Sequence, residues 1–258
     1  MTPIYVQPKT GSVWGTDISF YQDDNATPQQ IDFAKMFAAG CAFTIIRAGQ
    51  NLWQDQDFFN NWNSAKGIMP RGAYFYLDVR ASIRQQAKIL ADALREDPGD
   101  LPPAIDFEQI STSKVNGEVQ QLKISHLDGF DIYLKEYLPT VRTPTIYTGH
   151  YYWIEHGSTD IRFAKRRLWM ARYGADRPLI PPPWKENEWT FWQFTDKGDG
   201  KRLGAESLNI DLNYFNGSVV QLYELAGWQG PIPNPEPTPG GKKRRMVIEG
   251  EFTVTEEP

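Results

Sequence analysis

The chain has 258 residues, of which 40% are hydrophobic and 14% aromatic, a composition that predicts a buried core and excludes a disordered chain. Its net charge of −5 excludes a nucleic-acid binder of the broad electrostatic type. A single cysteine, Cys41, excludes a disulfide framework within the chain and allows folding in a reducing compartment.

Residues 1–13 read as an N-terminal extension. They lack the basic-then-apolar layout of a signal peptide, and no run in the chain approaches the length of a membrane span. Synthesis in the cytoplasm and no membrane partner are expected. Strand and helix patterns then alternate. Residues 13–19 read as a strand and 31–39 as a short helix ended by Gly40. Residues 43–48 form a β-rich apolar run, and 56–66 a helix stopping at Gly67. A third strand at 71–77 precedes a helix with Ser82 as N-cap that reaches Leu94. The apolar run 101–105 reads as a fourth strand ending in Asp106-Phe107-Glu108. A long helix at 119–138 leads to a fifth strand at 145–148. Five successive βα units predict a parallel sheet, most economically a barrel.

After residue 148 the rhythm breaks. Strand candidates persist at 167–171, 189–195 and 210–214. The stretches between them, 178–184 and 196–200, are too rich in Pro and Gly to be helical. Parallel neighbours normally need a helical crossover, so some of the closing strands are expected to be antiparallel or loop-connected. The fold class is α/β, a single TIM-like β/α barrel over 14–228. About five βα units are followed by three strands lacking crossover helices, with a final helix at 218–225. Residues 229–241 read as a Pro/Gly-rich, semi-rigid linker. Residues 242–258 form a basic, β-prone tail. Its Lys242, Lys243, Arg244 and Arg245 suit either a disordered or loosely docked tail or a small appendage that contacts an anionic polymer or pairs with another chain. A monomer is expected.

The acidic pair at the end of the fourth strand carries the first functional signal. Alternation turns Asp106 and Glu108 to one face while Phe107 packs on the other. A carboxylate at the mouth of a core strand is costly to desolvate, and like charge raises the pKa of one member. That asymmetry is what acid catalysis of glycoside cleavage requires. Spacing alone is weak, because Asp55/Asp57, Glu186/Glu188 and Glu249/Glu251 repeat it. The first of these precedes a helix, where carboxylates offset the dipole. Asp17, at the end of the first strand, and Asp211, in the last, share the placement of the pair. In a closed barrel those two strands are neighbours. The alternative for each acid is a salt bridge to a partner such as Arg47.

Tyr21, Tyr74, Tyr76, Tyr147, Trp169 and Trp192 lie near strand ends, either as core or as stacking platforms for the apolar faces of sugars. His126, His150 and His156 lack metal-ligand spacing with Cys or acidic partners, so neither metal nor cofactor is expected. There is no Gly-x-Ser-x-Gly elbow and no phosphate-cradling loop. Cys41 precedes a core strand and is a poor candidate nucleophile.

The succession Gly15-Thr-Asp-Ile-Ser-Phe-Tyr-Gln22, Phe43-Thr-Ile-Ile-Arg-Ala48, Gly72-Ala-Tyr-Phe-Tyr76, Pro103-Ala-Ile-Asp-Phe-Glu108, Pro144-Thr-Ile-Tyr-Thr148, Leu168-Trp-Met-Ala-Arg-Tyr173, Trp192-Gln193 and Ile210-Asp-Leu-Asn213 resembles glycoside hydrolase family 25, the Chalaropsis-type lysozymes of fungi, bacteria and phage endolysins. The resemblance runs from about residue 14 to 225 in family order. It implies a flattened, incomplete barrel that cleaves the β-1,4 bond between N-acetylmuramic acid and N-acetylglucosamine in peptidoglycan. By the same resemblance Glu108 is the general acid, Asp106 its partner, and Asp17 and Asp211 line the same subsite. Tyr74 and Tyr147 fall at aromatic positions near the cleaved sugar, and Gln193 belongs to the matched substrate-binding set. Tyr74-Phe-Tyr76 departs from the Tyr-His-Phe of many members, and the stretch 23–30 is longer than usual. Two routes, a carboxylate nucleophile or the substrate's acetamido group with Asp106 polarising it, both retain configuration and are expected here; the residues alone leave inversion open. A non-catalytic glycan-binding barrel and a chitinase-like glycosidase are the alternatives. Release to the bacterial wall in the manner of a phage endolysin is the expected setting.

Overall fold

The computed structural model describes residues 4–23, 30–108, 114–115, 118–233, 246–249 and 253–256. The basic cluster Lys242, Lys243, Arg244 and Arg245 and most of the expected linker lie outside the described residues. Two short strands beyond it, Met246–Glu249 and Thr253–Glu256, pair antiparallel with each other.

Eight strands form the barrel: β1 (Trp14–Ile18), β2 (Thr44–Gln50), β3 (Arg71–Tyr76), β4 (Ala104–Asp106), β5 (Thr145–Gly149), β6 (Leu168–Ala171), β7 (Phe191–Asp199) and β8 (Asn209–Phe215). Neighbours run parallel from β1 to β7. β8 then inserts antiparallel between β7 and β1 and closes the ring. A two-residue strand, Trp53–Gln54, folds back antiparallel on the end of β2. Gly15 permits the close approach of β1 to the chain entering β2. A Cβ there would collide with the backbone oxygen and ring of Phe43, just before β2.

Helices α1 (Phe33–Ala38), α2 (Phe58–Ala65), α3 (Ile83–Leu94) and α4 (Ile124–Tyr137) follow the first four strands. The Ser82 hydroxyl caps α3 by accepting from Gln85 N–H, as its sequence position predicts. α4 starts five residues later than the pattern suggests, because its N-terminus is fixed where Lys123 N–H donates to His126 Nδ1. The short helix α5 (His150–His156) has no counterpart in the sequence reading and completes the fifth βα unit. Its aromatic and His-rich composition is poor in helix formers. From β6 to β7 the connection is loop, and β7 to β8 is an antiparallel return, so the last strands lack crossover helices. Residues 196–199, read as a break between strands, extend β7 instead, and its register to β8 shifts between Gln193 and Thr195 and again between Thr195 and Gly198. A last helix, α6 (Val219–Ala226), ends on Gly227 in the left-handed conformation.

Strand alternation sorts the core into two layers. Ile46, Phe75, Ile105, Phe107, Ile146, Met170, Trp192 and Leu212 belong to the larger cluster, between barrel and helices. Phe43, Ile45, Ala104, Tyr147, Trp169 and Phe191 fill the barrel with Leu222 of α6. Above that interior plug, at the carboxyl ends of the parallel strands, polar groups replace apolar ones.

Candidate active site

Asp17, near the end of β1, is buried and accepts two amide hydrogen bonds. One comes from Asn213 Nδ2 at 2.7 Å and the other from Gln193 Nε2 at 2.9 Å. Gln193 Nε2 also reaches Asp211 Oδ2 at 3.4 Å. The orientation of that amide is dictated from its other side, where Gln193 Oε1 accepts the hydroxyls of Tyr147 and Tyr173, both at 2.7 Å. Trp169 Nε1 donates to Asn213 Oδ1 at 2.7 Å and so fixes the second amide the same way. Each amide presents its NH₂ to the acids because its carbonyl is already taken.

Asp106 ends β4 and Glu108 lies two residues on, with Phe107 packed between them on the far side against Tyr152 and Trp153. Asp106 is buried and its Oδ1 has no hydrogen-bond partner among the described residues. Burial raises all four acids. Asp17 moves to about 6, Glu108 to about 7 and Asp211 to about 9, and Asp106 stands well above the usual carboxylate range. Like charge adds to this: Glu108 and Asp17 act on Asp106, Asp17 acts on Glu108, and Asp17, Asp196 and Glu108 act on Asp211. The four side chains thus share one poorly hydrated space that retains protons near neutral pH.

Arg47 does not neutralise the cluster by contact. Its Nε is bound to Asp55 Oδ2 at 2.8 Å, and its charge reaches Asp106 only through space. Asp55 is therefore a buried ion-pair partner and not merely a helix-dipole carboxylate. The alternative of acids paired off with Arg47 does not hold for the cluster.

A family model described as glycosyl hydrolases family 25 matches residues 16–202. The chain belongs to that family. It is a glycoside hydrolase of the lysozyme type. Lysozyme M1 of Streptomyces globisporus is 29% identical over 233 residues, spanning 84% of this chain and 72% of that protein. The bacterial lysozyme structure from Streptomyces coelicolor superposes with a TM-score of 0.66 at 26% identity, covering 84% of this chain and 98% of that one. The muramidase structure from Trichobolus zukalii gives 0.64 at 29% identity, covering 83% and 99%.

Within this family 25 barrel, two of the aromatic expectations need correction. Trp192 adjoins Gln193 on β7, so the two side chains take opposite faces. Trp192 packs outward with Trp189, Phe194 and Tyr214 and offers nothing to the cavity. Trp169 does face inward, but it is only 1% exposed, edge-on to Tyr147 and Tyr74, and supports Asn213 instead of presenting a stacking face. Tyr74 and Tyr147 line the acid space, and both phenols are raised by burial. Tyr76 is half-buried beside Asp106 and Glu108. Tyr21 is exposed in the turn that follows β1. Two residues were not singled out from sequence: Asn213 and Tyr173. Both follow from alternation, Asn213 two residues after Asp211 and Tyr173 two after Ala171.

Proposed function

We propose that this enzyme hydrolyses peptidoglycan at the β-1,4 bond between N-acetylmuramic acid and N-acetylglucosamine, with Glu108 as general acid and net retention. One observation carries this reading. A half-buried carboxyl poised at about 7 stands two residues from a fully buried carboxyl with an unpartnered oxygen. A general acid works best with a pKa near the operating pH. A buried acceptor lacking a donor is costly unless a ligand supplies one. The acetamido N–H of the substrate is such a donor.

Glu108 gives its proton to the glycosidic oxygen as the C1–O bond breaks. The acetamido carbonyl oxygen attacks C1 from the opposite face, and Asp106, accepting the amide N–H, orients and polarises that amide. Glu108, now ionised, removes a proton from water, which opens the ring at C1 and restores the original anomer. Asp17 and Asp211, bridged by Gln193, fill the remaining side of the subsite.

Digestion of purified peptidoglycan with mass spectrometry of the new reducing ends tests the reading. New muramic acid ends support it. New glucosamine ends or cleavage of chitin point to another glycosidase, and absence of products favours a binding role. Phage-type release to the wall is the setting we propose. Co-expression with and without a membrane-permeabilising partner tests it by the timing of cell lysis.

A further inference from the structure

Two loops at the carboxyl ends of β1 and β2 carry exposed aromatic rings held in place by buried charge. Tyr21 lies in a single 3-10 turn, Phe20–Gln22, after β1 and is 67% exposed. Trp53 lies on the strand that folds back on β2 and is 41% exposed. The Arg47 guanidinium sits 4.8 Å from the Phe20 ring centroid, 5.4 Å from that of Tyr21 and 5.1 Å from that of Trp53. Asp55 Oδ2 accepts from Arg47 Nε and, at 3.1 Å, from Phe20 N–H, so one carboxylate ties both loops together. The tip of the Trp53 hairpin is pinned separately. Asn51, with φ of 54°, donates from Nδ2 to Asp78 Oδ2 at 2.9 Å.

Neither half of this arrangement is the cheapest for stability. Arg47 and Asp55 are 6% and 2% exposed, and a buried ion pair often stabilises no better than apolar residues of similar size. The rings it supports leave apolar surface in water. The arrangement is economical if another molecule covers the rings. Arg47 also lies in register with Tyr74, the phenol under the influence of Asp17, Asp106 and Asp211, so the rings it supports stand at the same end of the barrel as the acids.

We propose that Tyr21 and Trp53 form a stacking subsite for a sugar of the same glycan strand beyond the bond being cut, with Arg47 as the positioning residue that sets the two rings. Pyranose rings expose flat patches of C–H that pack on aromatic faces. A rigid pair of such faces loses little entropy on binding. The proposal rests on the peptidoglycan reading and adds a preference for long strands over short ones.

The test compares KM for long peptide-free glycan strands with KM for the shortest fragment cleaved. In the unaltered enzyme the long strands have the lower KM. Trp53→Ala and Tyr21→Ala each raise KM for long strands by about tenfold more than for the short fragment. Trp53→Phe and Tyr21→Phe keep most of the difference. Arg47→Lys retains the charge but loses the planar guanidinium that reaches all three rings, and it also narrows the difference. Equal changes on long and short substrates across these variants, or no change, overturn the stacking subsite while leaving the peptidoglycan reading in place. An unaltered enzyme that releases no new muramic acid ends overturns that reading, and this subsite with it.

Discussion

Asp17 and Asp211 stand directly opposite each other in the antiparallel ladder between the first and last barrel strands, and the Gln193 amide bridges them. Two like-charged side chains facing across a ladder are destabilising unless one is protonated or a donor intervenes. Here both remedies operate. Burial raises both acids, the charge of Asp17 raises Asp211 further, and Gln193 supplies N–H to each.

Gln193→Glu replaces that donor with another carboxylate while preserving shape. It leaves Asp17 short of a hydrogen bond in a buried site, a cost of about 1–3 kcal/mol. The expected outcome is a lower Tm at pH 7 that recovers on acidification, with turnover reduced at least tenfold. Thermal unfolding across a pH series checks the first part and muropeptide release the second.

Glu108→Gln removes the proposed proton donor without adding charge. Hydrolysis of peptidoglycan is expected to fall by about 10²–10⁴-fold, with folding retained. Activity close to that of the unaltered enzyme would remove Glu108 from the role.

The acids also set a pH dependence. In its proposed role as general acid Glu108 is protonated, so the alkaline limb of activity is expected near its value of about 7. For stability the sign follows from the upward shifts. Between the unfolded carboxylate value, near 4, and the raised native values, the folded protein holds more protons than the unfolded one. Stability from these groups is therefore complete below the unfolded value and is lost as pH rises through about 6 for Asp17, 7 for Glu108 and 9 for Asp211. Asp211→Asn should flatten the upper part of that decline in a plot of Tm against pH. An unaltered slope would show that Asp211 is not protonated in the native state.

The unpartnered oxygen of Asp106 separates the two retaining routes. If the acetamido group is the nucleophile, peptidoglycan that has lost the N-acetyl group of its muramic acid should resist cleavage, and chemical re-acetylation should restore it. Equal rates on both substrates would favour direct attack by a carboxylate.

Much of this was legible in the sequence, because period-two alternation and strand-end acids are local signals. All eight barrel strands overlap the stretches the pattern selects, although residues 196–199, read as a break, prolong the seventh, and the antiparallel closure follows from connections too short or too Pro-rich for a crossover. The errors share a cause. Trp192 and Gln193 are adjacent on one strand, so alternation forbids both from facing the cavity, yet an aromatic-rich segment invites both. Asn213 and Tyr173 are uncharged and gain their importance only from what they touch across the barrel. Asp55 resembles any helix-leading acid until Arg47, eight residues earlier, is seen against it. α5 is short and built from poor helix formers, and tertiary packing of Trp153 against Phe107 and Trp184 supplies what propensity lacks.

Closure of the ring by its final strand has a consequence for biosynthesis. β8 brings in Asp211 and Asn213 together, and its partner β1 was made almost two hundred residues earlier. Such distant pairing is slow to form. A chain stopped before residue 209 would present open edges on β1 and β7, sites of adventitious strand pairing, and would lack half of the amide cradle around Asp17. On the proposed roles of Asp17 and Asp211, hydrolytic competence is completed only when translation has passed the last segment of the ring, and shorter products expose strand edges open to adventitious pairing.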